Sequence, residues 1–197
     1  MPRTIDELVG QMREIEAEIA AAYDQRRDDV HYVVERGRIR FSEAVTQQQR
    51  LRKIGVFQFL RDSSVLSIVT SPVIYAGWIP LACLDLFCTV YQAVCFPAYG
   101  IAKVTRSDYL VFDRGDLPYL NPIQKFNCFY CSYANGLAGY FREIAARTEQ
   151  YQCPIKHARK MGDTHDRYPD FFEFGDAETY RRGLERLQSE LEDQDRS

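Results

Sequence analysis

The sequence lacks the short motifs that mark the commonest chemistries. It has no GxGxxG, P-loop, HExxH or GxSxG pattern, so a dinucleotide fold, a phosphate-cradling loop, a zinc peptidase and a nucleophile elbow have no support. Charge of one sign is not in excess: 25 lysines and arginines face 28 acids, for a net charge of −3. That balance carries no nucleic-acid footprint, and no nucleic-acid partner is expected. Internal repeats and low-complexity tracts are absent. The first 60 or so residues contain no long apolar run, so no signal peptide is read and a cytoplasmic N-terminus is expected. Six cysteines, unevenly placed in 197 residues, do not make a secreted disulfide scaffold.

Charge is also nearly missing from one stretch. Between Val65 and Ile101 the only formal charge is Asp85. At 1.5 Å per residue this run would reach about 55 Å as one helix, against a hydrocarbon core of about 30 Å. It is too long for one upright span and tight for two. Pro72, Pro80 and Pro97 divide it, which predicts a bent span, a re-entrant hairpin, or a span followed by an interfacial helix. Trp78, Tyr75, Tyr91 and Tyr99 are candidate interfacial anchors. The alternative is an apolar hairpin buried inside a soluble protein, but a chain this small has little with which to enclose it. Asp85 is expected either to face a partner or cavity as a polar site in the membrane, or to sit at a helix break near the headgroups.

The flanks are asymmetric. Arg36, Arg38, Arg40, Arg50, Arg52, Lys53 and Arg61 precede the run with only Glu35 and Glu43 among them, a block that anionic lipid would favour. Lys103, Arg106, Arg114 and Lys125 follow it. Basic residues on both sides favour a segment that returns to one face. The acidic tail from Met161 onward reads as a solvated face.

Helical periodicity dominates elsewhere. Ile5, Leu8, Met12, Ile15, Ile19 and Tyr23 recur at helical intervals over Thr4 to Arg26, with Thr4 and Glu7 at capping-box spacing. Helix is expected to resume from Asp28 through the arginine-rich stretch despite Gly37, and again from Ser42 to Arg61. Arg38-Ile39-Arg40-Phe41 gives only a weak strand signal. A short strand is expected around Tyr109 to Phe112, a helix from about Asn135 to Glu149, and an extended aromatic segment from Gly162 to Gly175. Asp176 is placed to cap a last helix with the stripe Tyr180, Leu184, Leu187 and Leu191.

The strongest chemical lead is Cys128, Cys131, Cys153 and His157. The pair N-C-F-Y-C and the later C-P-I-K-H supply three thiolates and an imidazole, a structural zinc set. If Pro154 to Lys160 begins a helix, Cys153 and His157 share one face. The intervening helix would then run out and return. An iron-sulphur cluster or iron ion competes with zinc, since cysteine followed by proline occurs in such ligand runs and Phe126, Phe129, Tyr130 and Tyr133 would shield a cluster. With no metal, Cys128 and Cys131 are either packing residues or a dithiol just before a helix, whose N-terminus favours the thiolate. No parallel-sheet pattern precedes them to build a thioredoxin-like scaffold. Glu143, Glu149 and Lys156 are candidates to stand behind the ligands, though solvated helix charges are the plainer reading of the two glutamates. His165 is a further candidate exchangeable ligand, and His31 reads as a surface histidine.

NCFYCSYANG, AARTEQYQCPIKHA and the apolar run resemble a bacterial, mainly proteobacterial, family of membrane-associated proteins with a CxxC and CPxxH motif and no assigned activity. The resemblance covers most of the chain from the arginine-rich region onward. It implies a bacterial origin and supplies no catalytic role.

The sequence thus predicts a mainly α protein, with an apolar helical hairpin or bent membrane segment and a small metal-stapled helical domain. The expected divisions are residues 1–63, 64–101 and 102–197. The expected role is a membrane-associated adaptor or assembly protein holding zinc, on the cytoplasmic face of the bacterial inner membrane. It would bind lipid and a protein partner or a second copy. The alternative is a membrane-proximal redox protein using an iron-sulphur centre or the Cys128/Cys131 dithiol.

Overall fold

The computed structural model describes residues 5–29, 32–35 and 38–193. Thr4 of the expected capping box, His31, Arg36 and Gly37 lie outside the described residues. The chain is mainly helical and contains one long apolar helix. It divides into two compact units, Met1–Ser63 with Asp113–Phe129, and Ser64–Phe112 with Tyr130–Ser197.

In the first unit, helix α1 (Ile5–Asp29) carries the expected apolar stripe. Leu8, Met12, Ile15, Ile19 and Tyr23 on it are all exposed. The expected helix across the arginine-rich stretch is corrected. Strands β1 (Tyr32–Glu35) and β2 (Arg38–Phe41) pair antiparallel there, with Tyr32 opposite Phe41 and Val34 opposite Ile39. The Tyr-Val-Val run and the alternation Arg-Ile-Arg-Phe favour a pleated strand over a helix. Ile39 and Phe41 are half-buried while Arg40 is exposed. The edge N–H of Ile39 donates to the Asp116 carboxylate at 2.9 Å, in a 3-10 turn over Asp113–Asp116.

Ser42 caps helix α2 (Glu43–Leu51) by accepting from the Val45 N–H at 3.4 Å. A separate helix α3 (Val56–Asp62) starts after Gly55, so the helical pattern expected over Ser42 to Arg61 forms two helices.

The second unit holds the apolar run. Helix α4 (Val65–Ala76) contains Pro72, and helix α5 (Trp78–Tyr99) contains Pro97. Together, Val65–Tyr99 make one apolar helix of 35 residues, so of the expected forms, a hairpin or a bent segment, the hairpin is not built. The irregularity falls at Gly77, whose N–H reaches three residues back to the Ile74 carbonyl at 3.1 Å. Pro80 sits in the first turn of α5, where no N–H is required. At the far end Gly100 adopts φ 67°, the left-handed conformation glycine tolerates. It turns the chain so that the Ile101 N–H meets the Phe96 carbonyl at 2.9 Å, a Schellman end.

The strand expected near Tyr109 is instead a single helical turn, α6 (Arg106–Tyr109). Helix α7 (Pro122–Gln152) starts thirteen residues before the expected Asn135. Its start is a reciprocal cap: the Gln124 N–H donates to Asn121 Oδ1 at 2.9 Å and the Asn121 N–H to Gln124 Oε1 at 3.0 Å. Asn-Pro-Ile-Gln is thus a capping box with proline at the first helical position. Helix α8 (Ala177–Asp193) is capped as expected, with Asp176 Oδ1 accepting from the Thr179 N–H at 3.0 Å. Leu187 and Leu191 are buried beneath it.

The core of this unit lies along α5 and α7. Cys88 and Phe96 of α5 pack with Tyr133, Leu137, Tyr140 and Ile144 of α7. The close approach of Tyr109 to α7 depends on glycine. A Cβ at Gly136 would lie 2.5 Å from the Tyr109 carbonyl oxygen, and one at Gly139 would lie 3.2 Å from the Tyr109 ring. Gly136→Ala should therefore cost about 1–3 kcal/mol by overpacking, although alanine is the better helix former. A thermal melt of the variant in neutral detergent checks the sign.

Candidate functional site

The apolar helix has two unlike faces. On the packed face, Trp78 stacks on Tyr133 with centroids 5.0 Å apart, and the Tyr130 hydroxyl donates to the Ile74 carbonyl at 2.7 Å. Further along, the buried Gln92 side chain donates to the Tyr140 hydroxyl and accepts from the Val104 N–H at 3.0 Å. The Tyr91 hydroxyl lies 3.1 Å from Thr148 Oγ1. From Ile74–Tyr130 and Trp78–Tyr133 to Gln92–Tyr140 and Tyr91–Thr148 the contacts move up both helices together, so α5 and α7 run parallel and α7 covers α5 along most of its length.

The other face is bare. Ile79, Leu86, Phe87, Val90 and Val94 of α5 are exposed, as are Val65, Leu66, Val69 and Val73 of α4. Only 6% of the most apolar 18-residue window is buried. A buried soluble hairpin is therefore not what the fold builds from these residues. Exposed large apolar side chains recur along more than thirty residues, far beyond the single exposed side chains that need no explanation.

Asp85 belongs to the packed side. Its carboxylate accepts from Arg106 Nη2 at 2.6 Å and Nε at 3.3 Å, and from the Tyr133 hydroxyl at 2.9 Å. The side chain is only 17% exposed. The hydrogen bond from Arg106 to Asp85 pushes the guanidinium above its ordinary value. Burial, and then the hydrogen bond to Asp85, push the Tyr133 phenol up to about 12. The lone charge of the run is thus held by a cation and a phenol.

The cysteine constellation is not assembled. Helix α7 runs unbroken from Pro122 to Gln152, so Cys131 and Cys153 lie at separate points along one rod, about 33 Å apart. Ligands of one zinc lie about 2.0–2.3 Å from it. Cys131 and Cys153 are exposed and Cys128 is half-buried. Among the described residues no group of three or more histidine, cysteine or acidic side chains is placed to hold a metal ion.

The helix expected from Pro154 is also corrected. Ile155 bridges Phe172, with the Phe172 N–H on the Pro154 carbonyl at 2.9 Å and the Lys156 N–H on the Phe172 carbonyl at 2.8 Å. An extended chain turns Cys153 and His157 away from the shared helical face. His157 is exposed, its N–H donating to the Tyr168 hydroxyl at 2.6 Å. Nor does the CxxC pair precede a helix: Pro122 opens α7, so both thiols lie beyond its first turn, where the dipole acts.

The residues expected behind the metal are otherwise engaged. Glu143 accepts from Arg147 at 2.8 Å and from Arg167 at 2.8 Å and is only 17% exposed, so it is not a solvated helix charge. Glu149 pairs with His165 at 3.0 Å and Lys156 with Glu173 at 2.7 Å. Burial raises the Glu143 carboxyl, but hydrogen bonds from Arg167 and Arg147 outweigh it and hold the group below its usual 4.5. A depressed acid adds stability above its unfolded value and loses it as pH falls through the folded one. The advantage of the wild type over Glu143→Gln should therefore be about 2 kcal/mol at neutral pH. It should shrink as pH drops below 4.5, which denaturant melts at several pH values will read.

Comparison with protein-family models, curated proteins and solved structures finds no match.

Proposed function

We propose that this is a membrane-associated helical adaptor, seated on the lipid by the bare face of α4 and α5. The observation that carries this is the exposure of the long apolar helix. It has one face packed with polar-tipped side chains and the other largely apolar, with the exposed Thr70 and Thr89 hydroxyls bonded back to their own helix. Alone, α5 would be about 33 Å long, enough to cross a hydrocarbon core. Along that length, however, it is covered by α7, which bears Arg142, Glu143 and Arg147. An upright α5 would draw those charges toward lipid. A helix lying in the plane of the headgroup and acyl boundary keeps them in water and buries only the bare face.

The basic block ahead of the helix fits the cytoplasmic face of a bacterial inner membrane, where anionic lipid is met. The exposed stripe of α1 fits a helix that holds a second protein. In membrane fractions the protein should stay in the pellet through a high-salt wash and an alkaline carbonate wash. Release by carbonate would overturn the membrane seat.

A further inference from the structure

The first unit also carries an open cavity. It measures about 400 Å³ and is lined by Arg40, Arg50, Lys53 and Lys125, with Thr46 beside them and Asp116 as its acid. These cations come from β2, from α2 and its end, and from the first turn of α7. Residues more than seventy positions apart are thus brought to one opening, so this is not merely a basic run in the sequence. The carboxylate of Asp116 is already held by the Ile39 N–H at 2.9 Å. Arg50, Lys53 and Lys125 enter no ion pair among the described residues. Arg50 and Lys53 stand three apart at the end of a helix, where like charges repel. Four cations share this opening with one carboxylate, an excess of positive charge that an anion would offset, and an arginine fork beside lysines suits a phosphoryl group. The volume falls in the range of small-ligand sites and exceeds what one bare ion needs.

We propose that this cavity binds a phosphate monoester, presented either as the headgroup of an anionic lipid or as a free phosphate compound. Only the lipid source rests on the membrane seat argued above.

The full chain in neutral detergent is titrated in a calorimeter with dihexanoyl phosphatidic acid, dihexanoyl phosphatidylcholine and inorganic phosphate. Phosphatidic acid should bind with saturation and phosphatidylcholine should not. Lys53→Gln with Lys125→Gln should weaken binding roughly 25-fold, about fivefold for each cation removed, while Lys53→Arg with Lys125→Arg retains it. Binding should also weaken as salt is raised. Binding of phosphatidic acid without inorganic phosphate assigns the lipid source; comparable binding of both assigns any phosphoryl group. Failure of both to bind, equal binding of phosphatidylcholine, or a glutamine variant that binds like the wild type overturns the proposal. Should the double glutamine variant lose its helical circular dichroism, the exposed Arg50→Gln replaces it with the same readout. Because the phosphate titration needs no bilayer, carbonate release would sink the membrane seat without touching it.

Discussion

Replacing Val73, Leu86 and Val94 together with lysine should move the protein from the membrane pellet to the soluble fraction. Each of these side chains is more than half exposed, at 76%, 66% and 65%. They contribute little to the fold itself, and exposed substitutions of this kind usually change stability by less than about 0.5 kcal/mol. In lipid the account is different. A lysine at the centre of a bilayer costs about 2.5–3.5 kcal/mol on insertion scales. Near the headgroups long side chains reach water and the cost falls. Even at about 1 kcal/mol each, three lysines shift partition by more than roughly a hundredfold. Sedimentation with lipid vesicles, beside a melt in detergent, separates the two effects. A variant that still pellets fully while melting normally would show that this face does not meet lipid.

The next largest effect is expected at Asp85. Arg106→Met removes the cation from a carboxylate that is 17% exposed and leaves only the Tyr133 hydroxyl to hold it. Breaking one side of a buried pair costs about 3–5 kcal/mol, but the guanidinium is 48% exposed, so roughly 2–3 kcal/mol is expected after solvent screening. Asp85→Leu combined with Arg106→Met should recover most of that loss, because an apolar replacement of both partners is close to neutral. Thermal melts of the two single variants and the double one give the coupling directly. A double variant as unstable as the sum of the singles would remove the ion pair from the account. Tyr133→Phe should cost about 1 kcal/mol through the lost hydrogen bond.

What the sequence made legible follows from how local each signal is. The stripes of α1 and α8, the Asp176 cap and the apolar run are patterns within a few turns, and each has its counterpart in the fold. The Asn121-Pro122-Ile123-Gln124 box was equally local and marks the start of α7. A helix expected only from Asn135 leaves both cysteines ahead of it, whereas α7 runs straight through them. Three prolines suggested a broken membrane segment. Pro80 instead falls in a first turn and Pro97 in a last one, so the irregularity moves to Gly77. The β hairpin was hidden by the arginines of its alternating strand, of which Arg40 sits on the exposed side.

The pairing of Cys131 with Cys153 needed a chain reversal between them. An unbroken α7 gives none, and spacing along a sequence cannot report whether a helix returns. The partners of Asp85 were illegible for the complementary reason. Arg106 and Tyr133 lie 21 and 48 residues downstream; the parallel packing of α5 and α7 brings Tyr133 to Asp85, and the return of the chain into α6 brings Arg106.

The native thiols allow the membrane seat to be tested without substitution. Cys83 is exposed on α5 and sits on the same helical stripe as Leu86, Phe87, Val90 and Val94, while Cys131 and Cys153 are exposed elsewhere in the same unit. Opened membranes, accessible from both sides, are treated with a charged maleimide, and each cysteine is read by peptide mass spectrometry. A charged maleimide does not enter the hydrocarbon, so a thiol facing lipid is out of its reach. Cys131 and Cys153 should label readily, and Cys83 only after detergent is added. Labelling of Cys83 at the rate of Cys153 in intact membranes would contradict the seat of α4 and α5 in lipid.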